Sequence, residues 1–113
     1  MTNLLFALLL AAAPAAGGAQ DLSHDSYEFL LAKLAASEGR FEEALARMEK
    51  VVARHPGDPV LLYERALLYV DGGMVDRGEA ELARVVAANP EFHDAQRVLG
   101  RLLLDRAGAD RAR

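Results

Sequence analysis

Apolar residues recur along residues 25–104 with the spacing of amphipathic helices rather than of strands. From Phe41, apolar side chains fall at offsets 0, 3, 4, 7, 10 and 11, which is one face of a helix with 3.6 residues per turn. Most of that face is repeated from Val75 to Val86. Similar segments at about 25–37, 59–71 and 93–106 predict three further helices. The pattern therefore predicts five helices and an all-α fold.

Glycine and proline residues mark the ends of these segments. Gly39 and Gly73 can adopt the left-handed conformation that ends a helix. Asp58-Pro59 places a capping carboxylate before a proline at the first helical position. Pro56 and Pro90 push the residues before them out of helical angles, which predicts the end of a helix at each.

The segments repeat with a period of 34 residues. Identical residues lie 34 apart at several places: Gly39 and Gly73, Ala46 and Ala80, Val51 and Val85, Val52 and Val86, Ala53 and Ala87, Pro56 and Pro90. Small residues also step by 34 at Ala32, Ala66 and Gly100. Each period contains two predicted helices, so the chain reads as a helix–turn–helix repeat.

A helix–turn–helix period of this length resembles the tetratricopeptide repeat, and the resemblance extends from about Asp25 to Leu104. It implies an α-solenoid of about two and a half repeats, with repeat 1 at 25–58, repeat 2 at 59–92, and a third helix A or capping helix with its tail at 93–113. The chain departs from the family pattern at several positions, among them Ala35, Arg65 and Gly78.

Stacking of neighbouring repeats should bury one continuous core, because a single repeat cannot bury its own apolar face. The predicted core comprises Leu31, Leu34, Phe41, Leu45, Met48, Val52, Leu68, Tyr69, Leu82, Val86, Leu99 and Leu102. In the last helix a charged stripe lies opposite Val98, Leu99, Leu102 and Leu103, as in a capping helix. The tail Gly108–Arg113 resembles the beginning of another helix B. The chain is thus either capped naturally or a truncated member of a longer array.

Residues 1–19 contain no charged side chain and resemble a secretory signal peptide. Leu4–Leu10 is an unbroken apolar run, and Pro14, Gly17 and Gly18 are expected to break the helix before a cleavage site. Cleavage is predicted after Ala19, followed by a short linker at 20–24, and this predicts a secreted or periplasmic protein. An uncleaved membrane anchor and a buried helix are the alternatives.

Composition and charge exclude several classes of protein. The chain has no Cys, so it has neither a disulfide framework nor a thiolate site. It lacks Ile and has one Thr, which disfavours a sheet-dominated fold. The formal net charge of −4 disfavours a nucleic-acid partner.

No residue pattern in the chain predicts catalysis, a cofactor, a bound metal or a small-molecule substrate. His24, His55 and His93 lie far apart, and His24 with Asp25 forms at most half of a metal site. The neighbouring carboxylates Glu79 and Glu81 are expected on a solvated helix face, without the pocket that acid–base catalysis needs. We therefore expect a protein that is not an enzyme and has no cofactor.

The family resemblance implies a concave groove lined by the first helix of each repeat. The residues that it assigns to peptide binding are Phe29, Lys33, Tyr63, Leu67, Arg97 and Arg101. An apolar floor beside cations suits a peptide with hydrophobic anchors and an acidic group. The main hypothesis is a non-catalytic scaffold or adaptor of the cell envelope that binds a peptide segment of a protein partner. The alternative is a structural subunit of a membrane-associated complex that retains its N-terminal anchor helix. In a third interpretation, Phe29 and Tyr63 complete the core and the arginines only solvate the last helix.

Overall fold

The computed structural model describes residues 13–113, with side chains described from His24 onward. Five helices follow one another: α1 (Ala13–Ser37), α2 (Phe41–Arg54), α3 (Pro59–Asp71), α4 (Val75–Ala88) and α5 (His93–Ala112). The described part of the chain contains no strand. The all-α helical-repeat fold predicted from the sequence is confirmed.

The helix ends follow the punctuation of the sequence. Gly39 and Gly73 have φ angles of 79° and 90°, in the left-handed region that favours glycine. The Asp58 carboxylate accepts hydrogen bonds from the backbone N–H groups of Val60 and Leu61 at 2.9 and 3.4 Å. It caps α3 ahead of Pro59, as predicted.

The first helix differs from the prediction, because α1 begins at Ala13 rather than near Asp25. Gly17 and Gly18 weaken a helix without ending it. In the described residues α1 thus continues through Gly17, Gly18 and the predicted linker at 20–24 without a break. The division into a cleaved leader and a linker stays a prediction, and the apolar run Leu4–Leu10 lies outside the described residues.

The helices pack in consecutive pairs, α1 with α2 and α3 with α4. The contact of α2 with α3 joins the two pairs, and α5 packs against α4 at the end of the described chain. The apolar side chains form two clusters. The first includes Met48 and Leu68, and the second includes Leu82 and Val85. Leu62 of α3 packs against both clusters, so α3 is shared between them.

Most of the predicted core is confirmed. Met48, Val52, Leu68, Tyr69 and Leu82 are buried, and the other predicted residues are half-buried, with one exception. That exception, Leu34, is 51% exposed and belongs to neither core cluster, and no described helix precedes α1 to cover it. The sequence prediction overlooked the small residues at the helix contacts, where Ala32, Ala44, Ala66 and Ala95 are fully buried.

The sequence predicts that Gly108–Arg113 begins another helix B. In the structure the tail belongs to α5 instead, which continues to Ala112. At the position equivalent to Gly39 and Gly73, the third repeat has Ala107. A left-handed residue other than glycine costs roughly 1–2 kcal/mol, so the chain continues as a helix at this point. Leu103, predicted to lie on the packed side of α5, is 47% exposed.

Candidate functional site

The six predicted peptide-binding residues lie on the first helices of successive pairs, α1, α3 and α5. We call this surface the helix A face and define it by Phe29, Lys33, Tyr63, Leu67, Arg97 and Arg101. The structure brings some of these side chains together and leaves others apart.

Lys33 and Leu67 line one depression between α1 and α3, together with Phe41 and Asp71. The Lys33 Nζ lies 2.9 Å from Oε2 of Glu64, a contact that links α1 to α3. The Lys33 side chain is 47% exposed and that of Glu64 is 18% exposed. Because an ammonium group carries three N–H donors, two remain for an acceptor from outside the protein.

Tyr63 has a structural role and is also partly exposed. Its ring packs against that of Phe92, with centroids 5.1 Å apart and the planes tilted by 44°. Burial raises the pKa of the Tyr63 phenol, as do the negative charges of Asp94 and Glu64, while Arg97 and Lys33 act in the opposite direction. The phenol is therefore protonated at neutral pH and can donate a hydrogen bond.

Phe29 lies in a different depression, of about 430 Å³, with Leu30, Val60 and Leu61. It also packs against the first core cluster, so part of its ring serves the fold. The interpretation in which Phe29 and Tyr63 complete the core therefore holds in part. Each ring packs against a core cluster, and each residue is only half-buried.

The two arginines lie on the solvent-exposed side of α5. Arg97 pairs with Asp94, one turn earlier on the same helix. Arg101 is exposed and lines neither the depression around Lys33 nor the one around Phe29. On the helix A face the structure therefore brings Lys33 and Leu67 into one depression, whereas Phe29 lines another and Arg101 lines neither. The charges of Lys33 and Arg97 both act on the Tyr63 phenol.

Sequence reasoning missed the partners of several of these groups. It did not connect Lys33 with Glu64, although they hold neighbouring positions on successive first helices. It also missed the Asp25 cluster, in which Arg54 Nη1 and His55 Nε2 each lie 2.8 Å from a carboxylate oxygen. The hydrogen bond with His55, and then the charge of Arg54, lower the pKa of Asp25 against the opposing effect of burial. Asp25 thus pairs with the end of α2 rather than with His24.

Glu81 was expected on a solvated face, and this is wrong. Its residue exposure is 8%, and its carboxylate lies 2.5 Å from Nη2 of Arg65. Arg65 stands where the family usually has Leu, so its guanidinium enters the contact between α3 and α4 and requires a buried counter-charge. On the same side, the Tyr69 hydroxyl donates to Glu49 at 3.2 Å and the Arg77 guanidinium lies 4.6 Å from the Tyr69 ring centre.

Among residues 13–113 no helix is long and apolar enough to cross a membrane. Over the same part of the chain, no three His, Asp or Glu side chains are grouped as a metal ion would require.

Comparison with known proteins agrees with the repeat geometry. A family model described as a tetratricopeptide repeat matches residues 35–102, which is more than half of the chain. No curated protein matches the chain. With its five helices, its 34-residue period and this match, the chain belongs to the tetratricopeptide-repeat family.

Proposed function

We propose that this protein is a non-catalytic adaptor that binds a peptide segment of a protein partner on the helix A face. Tetratricopeptide repeats generally mediate protein–protein interaction and are generally not catalytic. One observation carries the proposal: the exposed ammonium group of Lys33 lies in the same depression as the apolar side chains of Leu67 and Phe41, between α1 and α3. The half-buried phenol of Tyr63 lies one turn before Leu67 on α3.

These groups select a peptide with an acidic residue next to a hydrophobic anchor. The free donors of Lys33, the Tyr63 hydroxyl and the Arg97 guanidinium can all donate to a carboxylate. Leu67 and Phe41 provide apolar surface for an anchor side chain. Tyr and Arg are also enriched among residues that contribute most to binding.

The proposal can be tested by selecting phage-displayed random 12-residue peptides on the full chain. We expect selected peptides to combine acidic and large apolar residues. Their affinity should fall about tenfold in Arg97→Ala and in Leu67→Ala, since a tenfold loss corresponds to about 1.4 kcal/mol. Tyr63→Phe is preferable to truncation here, because it removes the hydroxyl and keeps the ring against Phe92.

Arg111→Ala is the matched control, because Arg111 is an exposed arginine near the end of α5 and is not part of the helix A face. Circular dichroism should show that all four variants keep the helix content of the original chain. If the selected peptides bind Arg97→Ala, Leu67→Ala and Arg111→Ala with equal affinity, the helix A face is not their site.

We also propose an envelope location, with the leader cleaved after Ala19. The charge-free composition of residues 1–19 supports it. Intact-mass measurement of the protein after expression with an export pathway should give a chain that begins at Gln20. A mass that includes Met1–Ala19 would contradict cleavage.

A second candidate function is that of a structural subunit in a membrane-associated complex, with the leader retained. The observation that favours it is an apolar stripe on α1, where Tyr27, Leu30 and Leu34 are 60%, 63% and 51% exposed. A stripe of this kind suits permanent contact with another subunit. The same mass measurement separates the two candidates, because the subunit hypothesis requires the leader.

A further inference from the structure

A second surface lies between α4 and α5, apart from the helix A face. It is an open groove of about 910 Å³. Its apolar lining includes Val75, Ala80, Ala83, Leu99, Leu102 and Leu103. We call it the α4–α5 groove, and the 34-residue period shows what would cover the same surface inside the stack.

The interior equivalents of the groove residues are covered by a second helix. Tyr69 of α3 is 3% exposed, since the guanidinium of Arg77 from α4 lies over its ring. The residue 34 positions later is Leu103, which is 47% exposed. Leu104, which corresponds to Val70 on the side of α3 that faces α4, is 75% exposed. The α5 surface thus matches the α3 surface but lacks its covering helix.

Gly100 gives independent support for this comparison. Its equivalents Ala32 and Ala66 are 0% exposed, and each lies where a second helix packs closely against the first. A Cβ atom added to Gly100 would meet nothing within 4 Å. The chain therefore keeps a small residue at a point of close helix approach, although no described helix approaches there.

The described chain does not fill the groove itself. A covering helix would require a turn after Asp105, where the earlier repeats have Gly39 and Gly73. The third repeat has Ala107 at this position, and α5 runs on to Ala112 without turning back. In residues 13–113 no helix therefore covers the groove, and the one ion-paired side chain that reaches across it is that of Arg106.

The charges around the groove indicate the chemistry of an occupant. Its lining includes four carboxylates, Asp76, Glu79, Asp105 and Asp110, and two guanidinium groups, Arg106 and Arg113. Arg106 is shared between Asp76 and Glu79, at 2.8 Å from each. The Asp76 side chain is still 94% exposed. The rim is therefore net negative and suits a positively charged partner.

We propose that the α4–α5 groove binds an amphipathic helix of a partner protein, which takes the place of a third helix B and carries basic residues on its flanks. The helix packs on α5 as α4 packs on α3. It needs a large apolar residue equivalent to Leu82 and a small one equivalent to Gly78. Where α4 has Glu81 opposite Arg65, the partner helix has an apolar residue, because α5 has Leu99 at that position.

The probe for this proposal is a labelled synthetic peptide that copies Val75–Ala88 with Asp76→Lys, Glu79→Lys and Glu81→Leu. Fluorescence anisotropy with the full chain should show saturable binding. A second peptide with Glu81→Leu alone keeps the acidic flank and should bind more weakly. The difference between the two peptides should shrink at high salt, because exposed charges are screened.

Two variants of the protein locate the binding. Leu103→Glu places a charge in the groove, and Gly100→Leu fills the point of closest approach with a good helix former. Each should weaken binding of the basic peptide at least tenfold. Leu34→Glu changes a similarly exposed leucine on α1 and should leave binding unchanged. Arg101→Ala, which tests the helix A face, should also have no effect, so the two proposed surfaces can fail separately.

Three results would overturn the proposal. The first is no saturable binding of the basic peptide to the original chain. The second is equal binding to Leu103→Glu, Gly100→Leu and Leu34→Glu. The third comes from sedimentation of the full chain alone: concentration-dependent self-association that Leu103→Glu abolishes would assign the groove to a second copy of the chain rather than to a partner helix.

Discussion

Gly78, inside α4, provides the sharpest test of the packing. Glycine in a helix interior is less favourable than alanine by about 1 kcal/mol, so helix propensity alone predicts that Gly78→Ala stabilises the protein. The structure predicts the opposite sign. A Cβ atom at this position would lie 2.5 Å from Cγ2 of Val70 and 2.8 Å from the backbone oxygen of Ala66.

The magnitude follows from which atoms are too close. The Ala66 oxygen belongs to the backbone of α3, so it can move away only if α3 and α4 separate. Overpacking of a filled contact costs roughly 1–3 kcal/mol, and a backbone clash lies towards the upper end of that range. After subtraction of the propensity gain, Gly78→Ala should lower the free energy of unfolding by about 1–2 kcal/mol.

Gly100→Ala is the matched control, since it makes the same chemical change in a helix where the added Cβ meets nothing within 4 Å. It should raise the free energy of unfolding by about 0.5–1 kcal/mol. In a domain of this size 1 kcal/mol shifts Tm by roughly 4–8 °C. Thermal and urea unfolding of the full chain, followed by circular dichroism, should therefore move the two variants in opposite directions.

A further variant separates the two close contacts. Val70→Ala removes the Cγ2 methyl and leaves the Ala66 oxygen in place, so Gly78→Ala should cost less in the Val70→Ala background than in the original chain but should still destabilise. If Gly78→Ala raises Tm as much as Gly100→Ala does, α3 and α4 do not approach each other as closely as described here.

Three further changes test other parts of the fold. Leu82→Ala empties a fully buried site in the second core cluster and should lower the free energy of unfolding by about 2–5 kcal/mol, measured by urea unfolding. Arg65→Leu alone leaves the buried carboxylate of Glu81 without its counter-charge and should lower the free energy of unfolding by about 3 kcal/mol. Arg65→Leu combined with Glu81→Leu should be close to neutral, and a double variant as unstable as the single one would contradict this. The pKa of Asp25 is lowered from 3.8 in the folded state, so its stabilising contribution is present above that pH and is lost as the pH falls through the folded pKa. Asp25→Asn should therefore flatten the loss of stability below about pH 4 in acid titrations, and an unchanged acid limb would count against the Asp25–His55 contact.

The sequence was sufficient for features that depend on local chemistry or on periodicity. The helix boundaries at Asp58 and Gly73 follow from capping and from left-handed glycine, which act within one turn of the chain. The stacked architecture follows from the 34-residue period, because equivalent positions in a repeat meet equivalent neighbours. The large core residues Met48 and Leu82 were found for the same reason.

The features that the sequence did not predict depend on which helices are adjacent and on how closely they approach. Glu81 looks like a surface residue until Arg65 is placed against it by the packing of α4 on α3. Leu34 has the spacing of a core residue, yet it is exposed because α1 is the first helix of the stack among residues 13–113. On the helix A face, the residue types were predictable, but the pairing of Lys33 with Glu64 was not, since it joins residues 31 apart on different helices.

The apolar interior is divided into two clusters that share α3, and this division determines how the protein can unfold. Each cluster is confined to three consecutive helices, so in residues 13–113 the two ends are coupled only through α3. Unfolding can then proceed from either end as a sub-global event that leaves the other cluster intact. Amide protons of α3 should be the slowest to exchange with solvent, and a ligand held at one end should protect the far end only to the extent that it stabilises α3.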